Sequence, residues 1–183
     1  MDREEALSLI KEGTDKKNLI KHMLAVEAIM KGAAEFLGDD IEKWDMTGLL
    51  HDVDFEKTEE NPKEHGVMAE TILEGKVDKE IIDAIKSHNF EYTGVQPKTK
   101  MDFALIAADA VSGLIIANAL IISSKKLADI TPENVAKRFK EKDFARRCRR
   151  ELILYCEKVG IPKEKFFEIS LKALQNISDE LGL

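Results

Sequence analysis

The stretch FALIAADAVSGLIIANALII, residues 103–122, decides how the rest of the chain is read. Twenty residues this apolar are long enough to cross a bilayer. Asp109 lies among them, and a mid-span Asp costs roughly 2.5–3.5 kcal/mol on insertion scales. No basic cluster or aromatic belt flanks the stretch on either side. It reads as the buried core helix of a soluble protein, with no membrane partner. A core helix of that length needs other amphipathic helices to cover it.

The flanking sequence supplies them. Apolar residues at helical spacing predict helices over roughly 2–12, 16–37, 40–54, 63–74, 78–89, 100–122, 132–141, 142–159 and 163–181. Gly13 and Gly38 sit where C-terminal caps are expected, and Thr131-Pro132 reads as an N-cap followed by proline at the first helical position. No run alternates apolar and polar residues long enough to make a strand, so the fold class is all-α. The longest irregular stretches are 55–62 and 90–99.

Composition narrows the function classes. With 183 residues, 44% hydrophobic and 34% charged, the chain can bury a real core. Its 28 Lys and Arg against 35 Asp and Glu give a net charge of −7, which argues against a general nucleic-acid binder. Cys148 and Cys156, both on the helix expected over 142–159, would lie about 12 Å apart along its axis and cannot pair. Without a disulfide framework or a signal-peptide pattern in MDREEALSLI, a cytoplasmic location is expected. One segment runs against the overall charge. Residues 137–150, KRFKEKDFARRCRR, carry eight basic and two acidic side chains, so the remainder of the chain sums to −13. Such a run is usually a solvated helix face; the other possibility is a patch that meets anionic substrate groups or a partner.

The chain has four histidines, and three share the apolar face of their predicted helix. His22 has Leu19, Val26 and Ile29 at i−3, i+4 and i+7; His65 has Met68, Ala69 and Ile72 at i+3, i+4 and i+7; His88 has Ile81, Ala84 and Ile85 at i−7, i−4 and i−3. His51 closes an apolar stretch and precedes Asp52. Asp109 sits in the most apolar helix, with no Arg or Lys between Lys100 and Lys125 to pair with it. A buried, unpaired carboxylate costs several kcal/mol or takes up a proton, and a metal cation would meet its need. Any one such histidine is ordinarily a satisfied core residue. Four of four, with two aspartates expected to be buried beside them, point to first-row divalent metals instead. Six ligands exceed the needs of one tetrahedral ion, so two metals sharing a carboxylate is the natural arrangement.

The ordered set His22, His51-Asp52 in LLHDVD, His65 in EHGVMAE, His88 in IIDAIKSHN and Asp109 in LIAADAVSG resembles the HD-domain superfamily of metal-dependent phosphohydrolases, over roughly residues 16–122. The resemblance implies an HD-domain helical bundle at 16–122, preceded by an N-terminal helix at 1–15 and followed by a C-terminal helical extension at 123–183 packed on it as one domain. It implies that His22, His51, Asp52 and Asp109 hold one metal and that Asp52 bridges to a second held by His65 and His88. The metal could be Mn, Fe, Ni, Co, Zn or Mg. The lysine of the HDIGK variant is displaced here to Lys57, the GYP signature of cyclic-dinucleotide phosphodiesterases is missing, and residues 123–183 fit no motif.

On this reading hydroxide generated at the metals attacks phosphorus, and no Ser or Cys nucleophile is needed. Asp52, Asp54, Glu56 and Lys57 are the candidate catalytic residues, the last three placed to orient water or protonate a leaving oxygen. Phe90 and Tyr92 are candidates to stack a base, and Arg146 to meet an anionic group. The expected substrate is a small phosphoester, a nucleotide or dinucleoside polyphosphate rather than extended nucleic acid, with homo-oligomerisation left open. Two rivals share the ligand pattern: an HD-type di-iron oxygenase and a nucleotide-binding sensor that keeps its metal site.

Overall fold

In the computed structural model, which describes residues 1–183, the 103–122 stretch forms most of one long helix, α8 (Lys100–Ile121). The chain contains helices and turns and no strand, an all-α bundle. Thr99 starts α8 with a capping box: its hydroxyl accepts from Asp102 N–H while Asp102 accepts from the Thr99 N–H. This helix is long and apolar enough to span a membrane. Its apolar circumference is instead packed upon by α2 (Lys17–Leu37), α6 (Lys79–His88), α10 (Arg150–Ile153) and α11 (Tyr155–Val159).

The tightest crossing sets the position of the first histidines. Helix α2 ends at Gly38, whose φ of 70° closes it in the left-handed conformation that glycine accepts without strain. Helix α3 (Ile41–Leu50) returns along α2, capped by the Asp40 side chain on Lys43 N–H. At their crossing Gly48 touches backbone: an added Cβ would lie 2.8 Å from Glu27 Cα and from the Val26 carbonyl oxygen. Only glycine lets the two helices approach this closely.

Two apolar clusters share the interior. The smaller lies beneath α1 (Arg3–Gly13) and α5 (Met68–Leu73), and includes Ile10, Leu49, Leu50, Leu73, Ile82 and Ile85. The larger joins α2 and α8 to the C-terminal helices α9 (Pro132–Lys140), α12 (Lys163–Asn176) and α13 (Ser178–Leu181), with Phe166 and Phe167 buried within it. Truncating either phenylalanine to alanine should cost about 3–5 kcal/mol. Short helices α4 (Phe55–Thr58) and α7 (Phe90–Thr93) form within the two stretches read as irregular.

Several expected boundaries change. Thr131 and Pro132 start α9 as expected, but Gly13 is the last residue of α1, and extended Thr14 is its cap. The 40–54 helix stops at Leu50, and the 63–74 helix begins only at Met68. The largest correction concerns 142–159, which is no continuous helix. Residues 141–149 form a series of turns, and α10 and α11 follow as separate short segments, so Cys148 and Cys156 do not share a helix. The cause is Arg150. Its guanidinium donates to the carbonyls of Phe139 at 2.9 Å, Glu141 at 2.9 Å, Phe144 at 2.5 Å and Cys148 at 3.0 Å, with longer bonds to Arg138 and Ala145. Those carbonyls find in one side chain the donors that helical N–H groups would otherwise supply. Ala145, at φ 44°, makes the reversal.

Candidate metal centre

Four imidazoles and one carboxylate converge between α2, α3, α6 and α8. His22 Nε2 lies 3.2 Å from His51 Nε2, and His65 Nε2 lies 3.0 Å from His88 Nε2. The Asp52 carboxylate stands between the two pairs. Its Oδ1 is 3.2 Å from His65 Nε2, 3.4 Å from His51 Nε2 and 3.6 Å from His88 Nε2, and its Oδ2 is 3.6 Å from His22 Nε2. Two ligand groups result, His22–His51–Asp52 and Asp52–His65–His88, with Asp52 common to both. Asp109 Oδ1, from α8, stands beside the first group, 3.2 Å from His22 Nε2, without being a member of either.

The far side of each ring is held. His51 Nδ1 bonds the Gly48 carbonyl at 2.9 Å and His88 Nδ1 the Ile85 carbonyl at 2.5 Å, both one turn back on the same helix. His65 Nδ1 bonds Asp54 Oδ1 at 3.0 Å. His22 Nδ1 meets Ser112 Oγ at 3.4 Å, and that hydroxyl donates onward to the Asp109 carbonyl. A proton fixed on Nδ1 leaves the Nε2 lone pair facing inward, the tautomer that binds metals. Two neutral imidazoles cannot hold their lone pairs 3.0 Å apart without a cation or a proton between them. The donor set therefore fits divalent ions.

Electrostatics agree. Burial pushes His22 down, but the hydrogen bond and charge of Asp109, with the charge of Asp52, raise it to about 9. His65 is likewise lowered by burial and raised further by Asp52 and Asp54, to about 10. His51 is driven by burial down to about 4, against the smaller pull of Asp52 and Asp109. Asp52 is pushed up by burial, yet the surrounding histidines hold it well below the usual carboxylate range. These carboxylates hold His22 and His65 toward the protonated form, and ions bound at their Nε2 atoms would have to displace those protons.

The remaining candidate residues fall in different places. Asp109 was expected to be buried; its side chain is 38% exposed, because α8 presents only Ala110 and Gly113 beside it and leaves a cleft there. Asp54 is fully buried and accepts from His65 Nδ1, Gly66 N–H and Ala69 N–H, so it positions His65 and has no free oxygen to offer a water. Glu56 is exposed and accepts from the Thr14 hydroxyl, and Lys57 is exposed with no ion pair. Neither touches the cluster. Phe90 stacks on Tyr155, and Tyr92 is 58% exposed; neither ring meets a histidine.

The basic segment does reach the site. Arg146, Arg147 and Arg149 line, with His22 and Asp109, a cleft of about 530 Å³ that opens onto the first ligand group. Arg149 forms a bidentate pair with Glu91 on α7. Arg150 points the other way, into its own loop. Sequence reasoning missed both the role of Asp54 toward His65 and that of Arg150. The first was signalled by a second acid two residues after the His-Asp pair; the second was hidden within a run of like charges.

The family model for the HD domain matches residues 19–114, and the chain belongs to that family. It is 34% identical over 98 residues to Ribonuclease Y of Nitratidesulfovibrio vulgaris, covering 53% of this chain and 18% of that protein. It is 31% identical over 98 residues to Ribonuclease Y of Lawsonia intracellularis, with the same coverage. It is 37% identical over 82 residues to Ribonuclease Y 2 of Bdellovibrio bacteriovorus, covering 44% of this chain and 15% of that protein. The match thus spans less than a fifth of the length of these relatives. No solved structure matches the chain.

Proposed function

We propose that the chain is a dinuclear metal-dependent phosphohydrolase that cleaves a small phosphoester, a nucleotide or dinucleoside polyphosphate. The observation that carries this reading is the Asp52 carboxylate set between two histidine pairs whose Nδ1 atoms are all held from behind. When bound there, divalent ions supply Lewis-acid activation of water and neutralise charge on the phosphoryl group. The protein's own part is to hold ligand geometry through Gly48, Asp54, Ile85 and Ser112, and to shape a cleft at His22 and Asp109. A volume of about 530 Å³ suits a nucleotide-sized ligand.

A second reading, an RNA substrate, is favoured by one finding: the named relatives are ribonucleases. The basic segment beside the cleft is compatible with it. Against it, two of the four arginines at 146–150 are ion-paired, a third, Arg150, is turned onto backbone carbonyls, and the chain outside 137–150 carries −13, which leaves little to track a polyanion. Both readings are tested together by assaying purified protein with Mn²⁺, Co²⁺, Ni²⁺ and Mg²⁺ against mononucleotides, dinucleoside polyphosphates and a short RNA. Turnover of the small substrates in preference to RNA supports the first; RNA cleavage alone overturns it.

A further inference from the structure

We infer that Arg147 forms a subsite for a second phosphate group of the substrate, at the rim of the metal-binding cluster, on a loop that Arg150 builds. The inference rests on the phosphohydrolase reading and specifies its substrate class: a nucleoside diphosphate or a longer phosphate chain, over a monophosphate.

The cations that neighbour Arg147 are each engaged within the protein. Arg150 spends its donors on backbone carbonyls of its own loop. Arg149 is held by Glu91 and by Glu151, the latter at 2.8 Å. Arg146 pairs with Asp143 at 3.2 Å. Arg147 is exposed, has no carboxylate within ion-pair distance and makes no hydrogen bond, yet it lines the same cleft as His22 and Asp109. An unpaired guanidinium beside a candidate metal centre, on a chain of net charge −7, is a site of local positive potential in a repelling field. Its planar fork suits the oxygens of a phosphate.

The loop makes the placement firm. Ala145 in the left-handed region turns the chain, the Cys148 thiol donates to the Ala110 carbonyl of α8 at 3.1 Å, and the Arg149–Glu91 pair ties the far side to α7. Arg147 therefore stands over the groove floored by Ala110 and Gly113. A phosphate chain lying along this cleft, one end at the His22 side, would bring another phosphate to the part that Arg147 lines.

The test compares binding of ADP and AMP to the Mn²⁺-loaded full chain by titration calorimetry. The wild type should prefer ADP, and Arg147→Ala should lower the ADP-to-AMP affinity ratio about tenfold, the scale of one charge-assisted hydrogen bond. Arg147→Lys should recover part of the ratio, and thermal melting confirms that each variant folds. A wild type without preference, or the same ratio in wild type and Arg147→Ala, overturns the subsite. An Arg147-dependent preference in a protein that hydrolyses no phosphoester upholds the subsite and refutes the hydrolase reading, so the two failures are separable.

Discussion

Asp54 Oδ1 accepts a hydrogen bond from His65 Nδ1 at 3.0 Å, while the other oxygen of the same carboxylate takes the backbone N–H groups of Gly66 and Ala69 at 2.8 and 3.0 Å. One buried acid thus fixes both the ring that faces Asp52 and the turn that carries it. His65 needs this support because it lies outside any helix, in the turns before α5, where no carbonyl one turn back can hold its ring.

Asp54→Asn should weaken the ion held by Asp52, His65 and His88 by about 10–100-fold while leaving the other site nearly intact. Metal titration monitored per site, for example with Co²⁺ absorption, distinguishes the two. Equal weakening at both sites would mean that Asp54 acts on the whole fold rather than on His65.

Gly48→Ala should cost about 1–3 kcal/mol of stability, because the new methyl meets the backbone of Val26 and Glu27 at 2.8 Å and backbone cannot swing aside. Separating α2 from α3 also draws His22 from His51, so metal affinity should fall with stability. Urea unfolding with and without metal reads both effects. A variant as stable as the wild type would show that the crossing has slack.

Arg150→Met should destabilise the protein by about 2 kcal/mol and open residues 141–149 to protease, since several carbonyls lose a charged donor together. Arg147→Ala, by contrast, should leave cleavage resistance unchanged. Limited proteolysis of the two variants side by side separates a loop-building arginine from a cleft-facing one.

A pH effect should also appear at Asp45 on α3. Asp45 is pushed up to about 6, first by burial and then by the nearby Glu27 carboxylate, against the smaller pull of Lys31 and Arg3. Its folded pKa exceeds its unfolded one, so the native state holds the extra proton, and stability falls as pH rises from about 4 through about 6. Asp45→Asn should melt a few degrees above the wild type at pH 8, with the gap closing toward pH 4. Identical melting at pH 8 would contradict a costly Asp45 charge.

The helical skeleton was legible wherever burial imposes a period. His22 and His88 could be placed from their apolar neighbours because Val26 and Ile29 on α2 and Ile81, Ala84 and Ile85 on α6 are buried. His65 was brought to the right place for the wrong reason: Ala69 and Ile72 do pack inward, but the helix starts at Met68 and His65 is aimed by Asp54. Asp109 was expected to be enclosed because its neighbours in sequence are apolar. The groove beside it depends on Ala110, Gly113 and a loop more than thirty residues on, which helical periodicity does not register. The 141–149 turns were read as part of a helix because Phe144, Cys148, Leu152, Tyr155 and Val159 fall at helical spacing. Arg150, by collecting their carbonyls, outweighs that local preference.

Counting metal bound to purified wild type, Asp52→Ala and His88→Ala tests the central claim most directly, because Asp52 alone belongs to both ligand groups. The account predicts two ions per wild-type chain, near-complete loss of both in Asp52→Ala, and loss of one in His88→Ala. Equal metal content in wild type and Asp52→Ala would contradict it.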